Sequence, residues 1–183
     1  MMKTRSPLLA QRRQRAMDIC LAVALGGSLA ASARDDKSAQ LMAGEGLGGI
    51  RIGMTEKKRV SLIGQPERKG LLTFQGGIEE FHQAWLYPTK GLEFTMTAGE
   101  HESGAKRVKD LAASARSALA TARGIRVGSP ESETRRTYAA CAADPRESPA
   151  AAGSFVAGSI YNGIRFTFAH GTVDSIFLGA MAE

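Results

Sequence analysis

Cysteine is scarce: the 183-residue chain holds two, Cys20 and Cys141. Cys20 falls in a segment that reads as an export leader, so one thiol is left for the folded domain. A disulfide framework is excluded, and stability has to come from packing. Cys141 itself is expected to act as a small, buried apolar residue. Histidine is as thin: His82, His101 and His170 each stand in a different expected loop or strand end. Zinc sites bring ligands in tight pairs, and no such pair occurs here. Glu79, Glu80 and His82 are neighbours in sequence, and a solvated strand entrance is their expected setting. Long apolar runs are also missing. Ile19–Leu25 is far short of the ~20 residues that cross a bilayer, so no stable membrane insertion is expected. No nucleophile-elbow pattern and no Cys/His signature is found. No catalytic residue, no metal site and no cofactor is assigned.

Positive charge is concentrated where it does not speak for the domain. Lys3, Arg5, Arg12, Arg13 and Arg15 open the chain, an apolar run follows, and Ala31-Ser32-Ala33 closes it. That is the order of a cleavable signal peptide over residues 1–33, with the mature chain starting at Arg34 and residues 34–46 forming a flexible lead-in. Arg12-Arg13 lacks the bulky apolar residues of a twin-arginine signal, so the general secretory route is favoured. The whole chain carries 24 Lys+Arg against 18 Asp+Glu, but the leader holds five of the former and one of the latter. The remaining 150 residues are close to neutral, which removes the basic surface that nucleic acid requires. A periplasmic or secreted location is expected, with no nucleic-acid partner.

The chain resembles itself at a distance. Gly49-Ile50-Arg51-Ile52-Gly53-Met54-Thr55-Glu56 aligns with Gly124-Ile125-Arg126-Val127-Gly128-Ser129-Pro130-Glu131 at an offset of 75. Each copy predicts a short strand, a glycine turn and a helix start. Thr55 and Ser129 stand where N-caps belong, and Pro130 stands at the first helical position. The first helix is expected to stop at Gly64-Gln65-Pro66, and the second to run to about Ala142. Gly91-Leu92-Glu93-Phe94-Thr95-Met96 aligns with Gly163-Ile164-Arg165-Phe166-Thr167-Phe168 at an offset of 72, each with the alternation of a half-buried strand. Asn162-Gly163 predicts a two-residue hairpin turn, and His170-Gly171 the next one. The expected class is α+β. Two tandem α/β repeats, residues 47–123 and 124–183 of one continuous domain, each pack a helix or helix pair on a three- to four-stranded antiparallel sheet.

Gly53-Met54-Thr55 followed by Leu62-Ile63-Gly64-Gln65-Pro66 resembles the signature of SmpA/OmlA-type envelope proteins. The doubled arrangement is similar to the tandem β-lactamase-inhibitor-protein fold. The resemblance implies helices on antiparallel sheets and leaves the ligand open. This chain lacks the lipid-attachment Cys of the one family and the cysteine pairs of the other. Gly44-Glu45-Gly46-Leu47-Gly48-Gly49 formally contains G-x-G-x-x-G. A dinucleotide site needs a strand before it and a helix after it, whereas here a strand is expected to follow.

Alternation divides each sheet into two faces. Trp85, Tyr87, Leu92, Phe94 and Met96, with Tyr161, Ile164, Phe166 and Phe168, are expected beneath the helices. Leu86, Glu93, Thr95, Ile160, Arg165 and Thr167 fall on the other face. Their mixture of apolar, hydroxyl and oppositely charged side chains suits a protein partner, and these six are the candidate binding residues. The function expected is that of a non-enzymatic protein-binding module, such as an inhibitor of an envelope or invading enzyme. A structural or assembly factor of the bacterial envelope is the alternative, and an enzyme with a dispersed site a further one.

Overall fold

Alternating apolar and polar residues mark segments such as 92–97 and 163–169, and in the computed structural model these segments are strands of one antiparallel sheet. Residues 37–146 and 151–182 are described; the expected leader, residues 1–33, lies outside them. The elements are α1 (37–44), α2 (Glu56–Ile63), β1 (Arg68–Gln75), β2 (Glu80–Tyr87), β3 (Leu92–Thr97), β4 (Arg107–Ala113), α3 (Glu131–Thr137), β5 (Ser154–Gly158), β6 (Gly163–Ala169) and β7 (Thr172–Gly179). The sheet has seven strands in the order β1-β2-β3-β4-β7-β6-β5. The fold is therefore α+β, with β4 and β7 joined through Leu111–Leu178, Ala112–Phe177 and Ala113–Ile176.

The register places apolar side chains in rows that run across the sheet from β2. Trp85 pairs with Phe94, Phe94 with Leu111, Leu111 with Leu178, Leu178 with Ile164 and Ile164 with Ala157. Every member of that row is buried. The next row runs Tyr87, Leu92, Ala113, Ile176 and Phe166, again all buried. Val60 and Ile63 of α2, and Tyr138 just after α3, pack on this layer. Tyr138 lies 5.0 Å from Phe166, ring to ring. Face and register are thus fixed together, because a one-residue slip would turn every one of these side chains to the other face.

Both main helices start on a backbone clamp. Gly53 N donates to Val108 O (2.7 Å), Val108 N to Met54 O (2.9 Å) and Glu56 N to Lys106 O (2.9 Å). The matching set before α3 is Gly128 N to Val173 O (2.8 Å), Val173 N to Ser129 O (2.8 Å) and Glu131 N to Gly171 O (2.9 Å). Glu56 N and Glu131 N thereby satisfy one first-turn donor of each helix, and the other bonds fix the chain just ahead of it. The expected cap side chains are not used. Thr55 holds the N-cap position without a side-chain bond. Ser129 Oγ accepts from Arg126 N instead (3.0 Å), and Pro130 takes the cap position. The helix α2 ends at Gly64 as expected, whereas α3 ends at Thr137 and tightens into a 3-10 turn over Ala139–Cys141.

Three further expectations are corrected. The segments 50–52 and 125–127 are not strands; they are tight turns that anchor buried Ile50 and Ile125 and make isolated bridges only. Glycine turns on both sides leave no length for a ladder. Residues 37–46 are not a loose lead-in either. Of these, residues 37–44 form α1, and Leu41 and Met42 of that helix join the core. Its amphipathic spacing is short and hidden among Ala and Gly. Asn162-Gly163 does not form the two-residue turn. The loop holds four residues, 159–162, with Ser159 N on Asn162 O (3.3 Å) and Gly158 paired to Gly163. Glycine is needed at 163 because a Cβ there would collide with the Ser159 and Ala157 carbonyls. The two-residue turn is at His170-Gly171, both with positive φ (53° and 75°), between the paired Ala169 and Thr172.

Candidate functional site

On the side of the sheet opposite the core, pairing generates another continuous row. Arg68 pairs with Leu86, Leu86 with Glu93, Glu93 with Ala112, Ala112 with Phe177 and Phe177 with Arg165. Cross-strand partners point to the same face, so this row is one surface strip running from β1 to β6. Glu93 and Arg165 are exposed, while Leu86, Ala112 and Phe177 are half-buried. The Arg165 guanidinium sits 5.3 Å from the Phe177 ring centre, a contact that holds it over the strip. A shallow hollow of about 290 Å³ opens beside it, lined among others by Arg68, Leu86, Pro88, Glu93 and Ser114.

Five of the six expected residues share this face. Leu86, Glu93 and Arg165 lie in the row, Thr95 pairs with Ala84 and Asp110, and Thr167 pairs with Ser154 and Ser175. Ile160 does not. The four-residue loop takes it off the strand, and its carbonyl accepts from Met181 N (2.6 Å) and Ala182 N (3.2 Å). The same loop leaves Tyr161 exposed at 69%, off the core face where alternation had put it. Arg68, Ala112 and Phe177 complete the row and were not expected there. Phe177 was findable, since it alternates with Ile176 and Leu178; the pairing of β4 with β7 that brings it beside Ala112 was not.

The same face carries a polar cluster at its far end. Glu80 and His82, neighbours two apart on β2, do come together: His82 Nε2 lies 3.1 Å from Glu80 Oε2. Lys109 Nζ approaches His82 Nε2 at 3.2 Å and Glu80 Oε2 at 3.8 Å, and Thr97 Oγ1 donates to Glu80 at 3.0 Å. The Glu80 carboxyl is held below the usual glutamate range. The His82 bond does most of this, Thr97 and Lys109 add to it, and partial burial opposes it. The sign of the linkage follows. A carboxyl with a depressed folded pKa contributes stability above its unfolded value and loses it as pH falls through the folded one. Glu80→Gln is therefore expected to lower the melting temperature at neutral pH and to flatten the acid limb, the two proteins converging at low pH. An unchanged acid limb would show that Glu80 is not a source of that limb.

Beneath the helices, sequence patterning missed a buried cation. Lys57-Lys58-Arg59 has the pattern of a solvated basic run, yet Arg59 is fully buried. Its guanidinium stacks 4.3 Å from the Trp85 ring centre and 5.4 Å from those of Tyr87 and Phe94. It donates to the Tyr87 hydroxyl, while Nε and Nη2 have no partner. Tyr87 in turn donates to Gly64 O at 2.8 Å, so the aromatic box ties the end of α2 to the sheet. Burial raises the Tyr87 pKa and the Arg59 contact opposes the rise. Three ring faces offset part of the cost of desolvating the guanidinium.

The glycine-rich run 44–49 does not cradle a ligand phosphate. It follows α1, and a Cβ at Gly46 would collide with the Ile50 carbonyl, so its small residues serve a closed turn. Cys141 is half-buried and free, and Arg123 Nη2 lies 3.7 Å from its sulfur. Among the described residues no helix is long and apolar enough to cross a membrane.

An antiparallel sheet with helices contributing to one face and a mixed polar strip on the other defines an α+β scaffold with an open sheet surface. No protein-family model matches the chain, and no curated protein matches it. Among solved structures, the chain is similar to an extracellular protein containing an SCP domain from Bacillus anthracis str. Ames, at 7% identity and a TM-score of 0.43. The likeness covers 70% of this chain, which spans 44% of the length of that protein. So distant a likeness fixes neither fold nor activity.

Proposed function

We propose that this protein is an exported, non-enzymatic protein-binding module, made of two copies of one α/β unit, which engages its partner with the open face of the sheet. The observation that carries the reading is the strip Arg68–Leu86–Glu93–Ala112–Phe177–Arg165. It combines apolar area, an aromatic and opposite charges on a rigid ladder, the composition of an interface core with a polar rim. Duplication is supported by the matched backbone clamps before α2 and α3 and by the equal burial of Phe94 and Phe166. The charged start and small-residue site of residues 1–33 support export to the periplasm or beyond. The resemblance to SmpA/OmlA-type and β-lactamase-inhibitor-type proteins fits such a module, with an inhibited enzyme as its partner.

Glu93 and Arg165 occupy equivalent places in the two units and carry opposite charge. A surface matched to an asymmetric partner has reason to differ there, and a purely structural one has little. Reversing both (Glu93→Lys, Arg165→Glu) is expected to leave the melt nearly unchanged, since exposed charges contribute only ~0–1 kcal/mol. Capture of a soluble partner from envelope extract should weaken about tenfold or more, because like charges then meet at the interface. Undiminished capture by the folded double variant would remove the strip from the binding reading. Recovery of an outer-membrane assembly complex in place of a soluble enzyme would favour an envelope-assembly role.

A further inference from the structure

The two outer edges of the sheet are treated differently. At the β5 edge the chain covers itself: Ala142 bridges Ala157, and Ala143 N donates to Val156 O at 3.0 Å. At the β1 edge no bridge from the described residues touches Arg68–Gln75. The side chains there are not those of a guarded edge along its whole length. Arg68, Lys69 and the irregularity between Lys69 and Leu72 protect its start. Beyond them Leu71 is 86% exposed, Phe74 is 53% exposed, and Ile78 in the following turn is also exposed. An open ladder flanked by apolar side chains is a template for another strand.

We infer that β1 is a homodimerisation edge, pairing antiparallel with β1 of a second copy about a two-fold axis at Thr73. The sequence of the strand is self-complementary in this register. Leu72 and Phe74 lie on the same face, because they pair with Gln83 and Phe81 of β2. Across the two-fold axis Leu72 meets Phe74 of the second copy, and Thr73 meets its own counterpart, both favourable cross-strand pairs. Arg68 and Lys69 fall opposite Ile78 and Gly77, in the turn that follows β1, so the basic residues of the two copies stay apart. Parallel pairing would instead stack the two basic residues on each other. A two-fold contact is closed, so it yields a dimer and not a filament, and the covered β5 edge leaves no second site for growth.

Sedimentation velocity over a concentration series through the micromolar range tests this with the mature chain. A reversible dimer is expected. Thr73→Lys places like charges directly opposite each other at the axis and should weaken it by about tenfold or more. Thr73 is exposed, so the melt should be unchanged. In a Cys141→Ser background of the mature chain, Thr73→Cys should form an intermolecular disulfide on mild oxidation. A chain that stays monomeric throughout overturns the inference, and so does a Thr73→Lys variant that dimerises like the parent. A dimer whose Thr73→Cys variant does not cross-link overturns the register.

Discussion

Truncating Phe166 to Ala is expected to cost about 3–5 kcal/mol of stability, and Phe94→Ala a similar amount or somewhat less. Both rings are fully buried. Phe166 is enclosed by Tyr138 at 5.0 Å and Phe155 at 6.3 Å, between β6 and the end of α3. These two rings pack against it, so the space left behind would be lined largely by apolar atoms. Phe94 sits in an equivalent place, edge-on to Tyr87 at 5.7 Å, but the Arg59 guanidinium lies 5.4 Å from its centre. A cavity there would border Nε and Nη2 of Arg59, which lack partners. Water entering it would satisfy those groups and offset part of the loss. Urea denaturation of the two single variants measures both the size and the order. Losses under about 1 kcal/mol in both would mean that neither ring is in the core.

The same pair of residues shows how much of the fold could be read from the chain. Period-two alternation placed Phe94, Phe166 and their row neighbours, because a strand with one covered face leaves its mark on every second residue. Helix α2 was legible in its position and in its glycine stop. What failed depended on contacts between segments distant in sequence. The Asn162-Gly163 pair has the local chemistry of a primed turn, yet the pairing of Gly158 with Gly163 lengthens the loop and uses that glycine for close approach. That single difference removed Ile160 from the open face of the sheet. The cap side chains of Thr55 and Ser129 make no bond to their helices; backbone bonds to Lys106, Val108, Gly171 and Val173, 40 to 55 residues away along the chain, hold those helix starts instead. Arg59 was hidden for another reason. Next to Lys57 and Lys58 it has the composition of a solvated face, and only the three rings around it reveal its burial. On the open face of the sheet, the residues within each strand were legible, while the strip itself required the β4–β7 junction.

Arg123→Met is expected to cost about 3 kcal/mol, and most of that cost should vanish when Glu45 is changed to Gln in the same chain. Glu45 is 2% exposed at its side chain and holds three donors: Arg123 Nε at 2.9 Å, Tyr138 Oη at 3.1 Å and Ala122 N at 3.2 Å. Its burial follows from α1, which carries it under the second half of the domain and 93 residues from Tyr138 in sequence. Burial is the main cause of the raised Tyr138 pKa, and the adjoining Glu45 carboxylate adds to it, so this hydroxyl remains a donor at ordinary pH. Without Arg123, the carboxylate keeps two neutral donors but loses its counter-charge. An uncompensated buried charge costs about 3–5 kcal/mol, and the partial exposure of Arg123 argues for the lower end. Glutamine keeps the shape and the acceptor oxygen and removes the charge, so the double variant has no stranded carboxylate. A double-mutant cycle should therefore give a coupling of about 1–3 kcal/mol. Strict additivity of the two losses would mean that Arg123 acts through its other contacts, the Tyr138 ring at 4.9 Å and the Thr137 carbonyl at 3.4 Å among them, and not through Glu45.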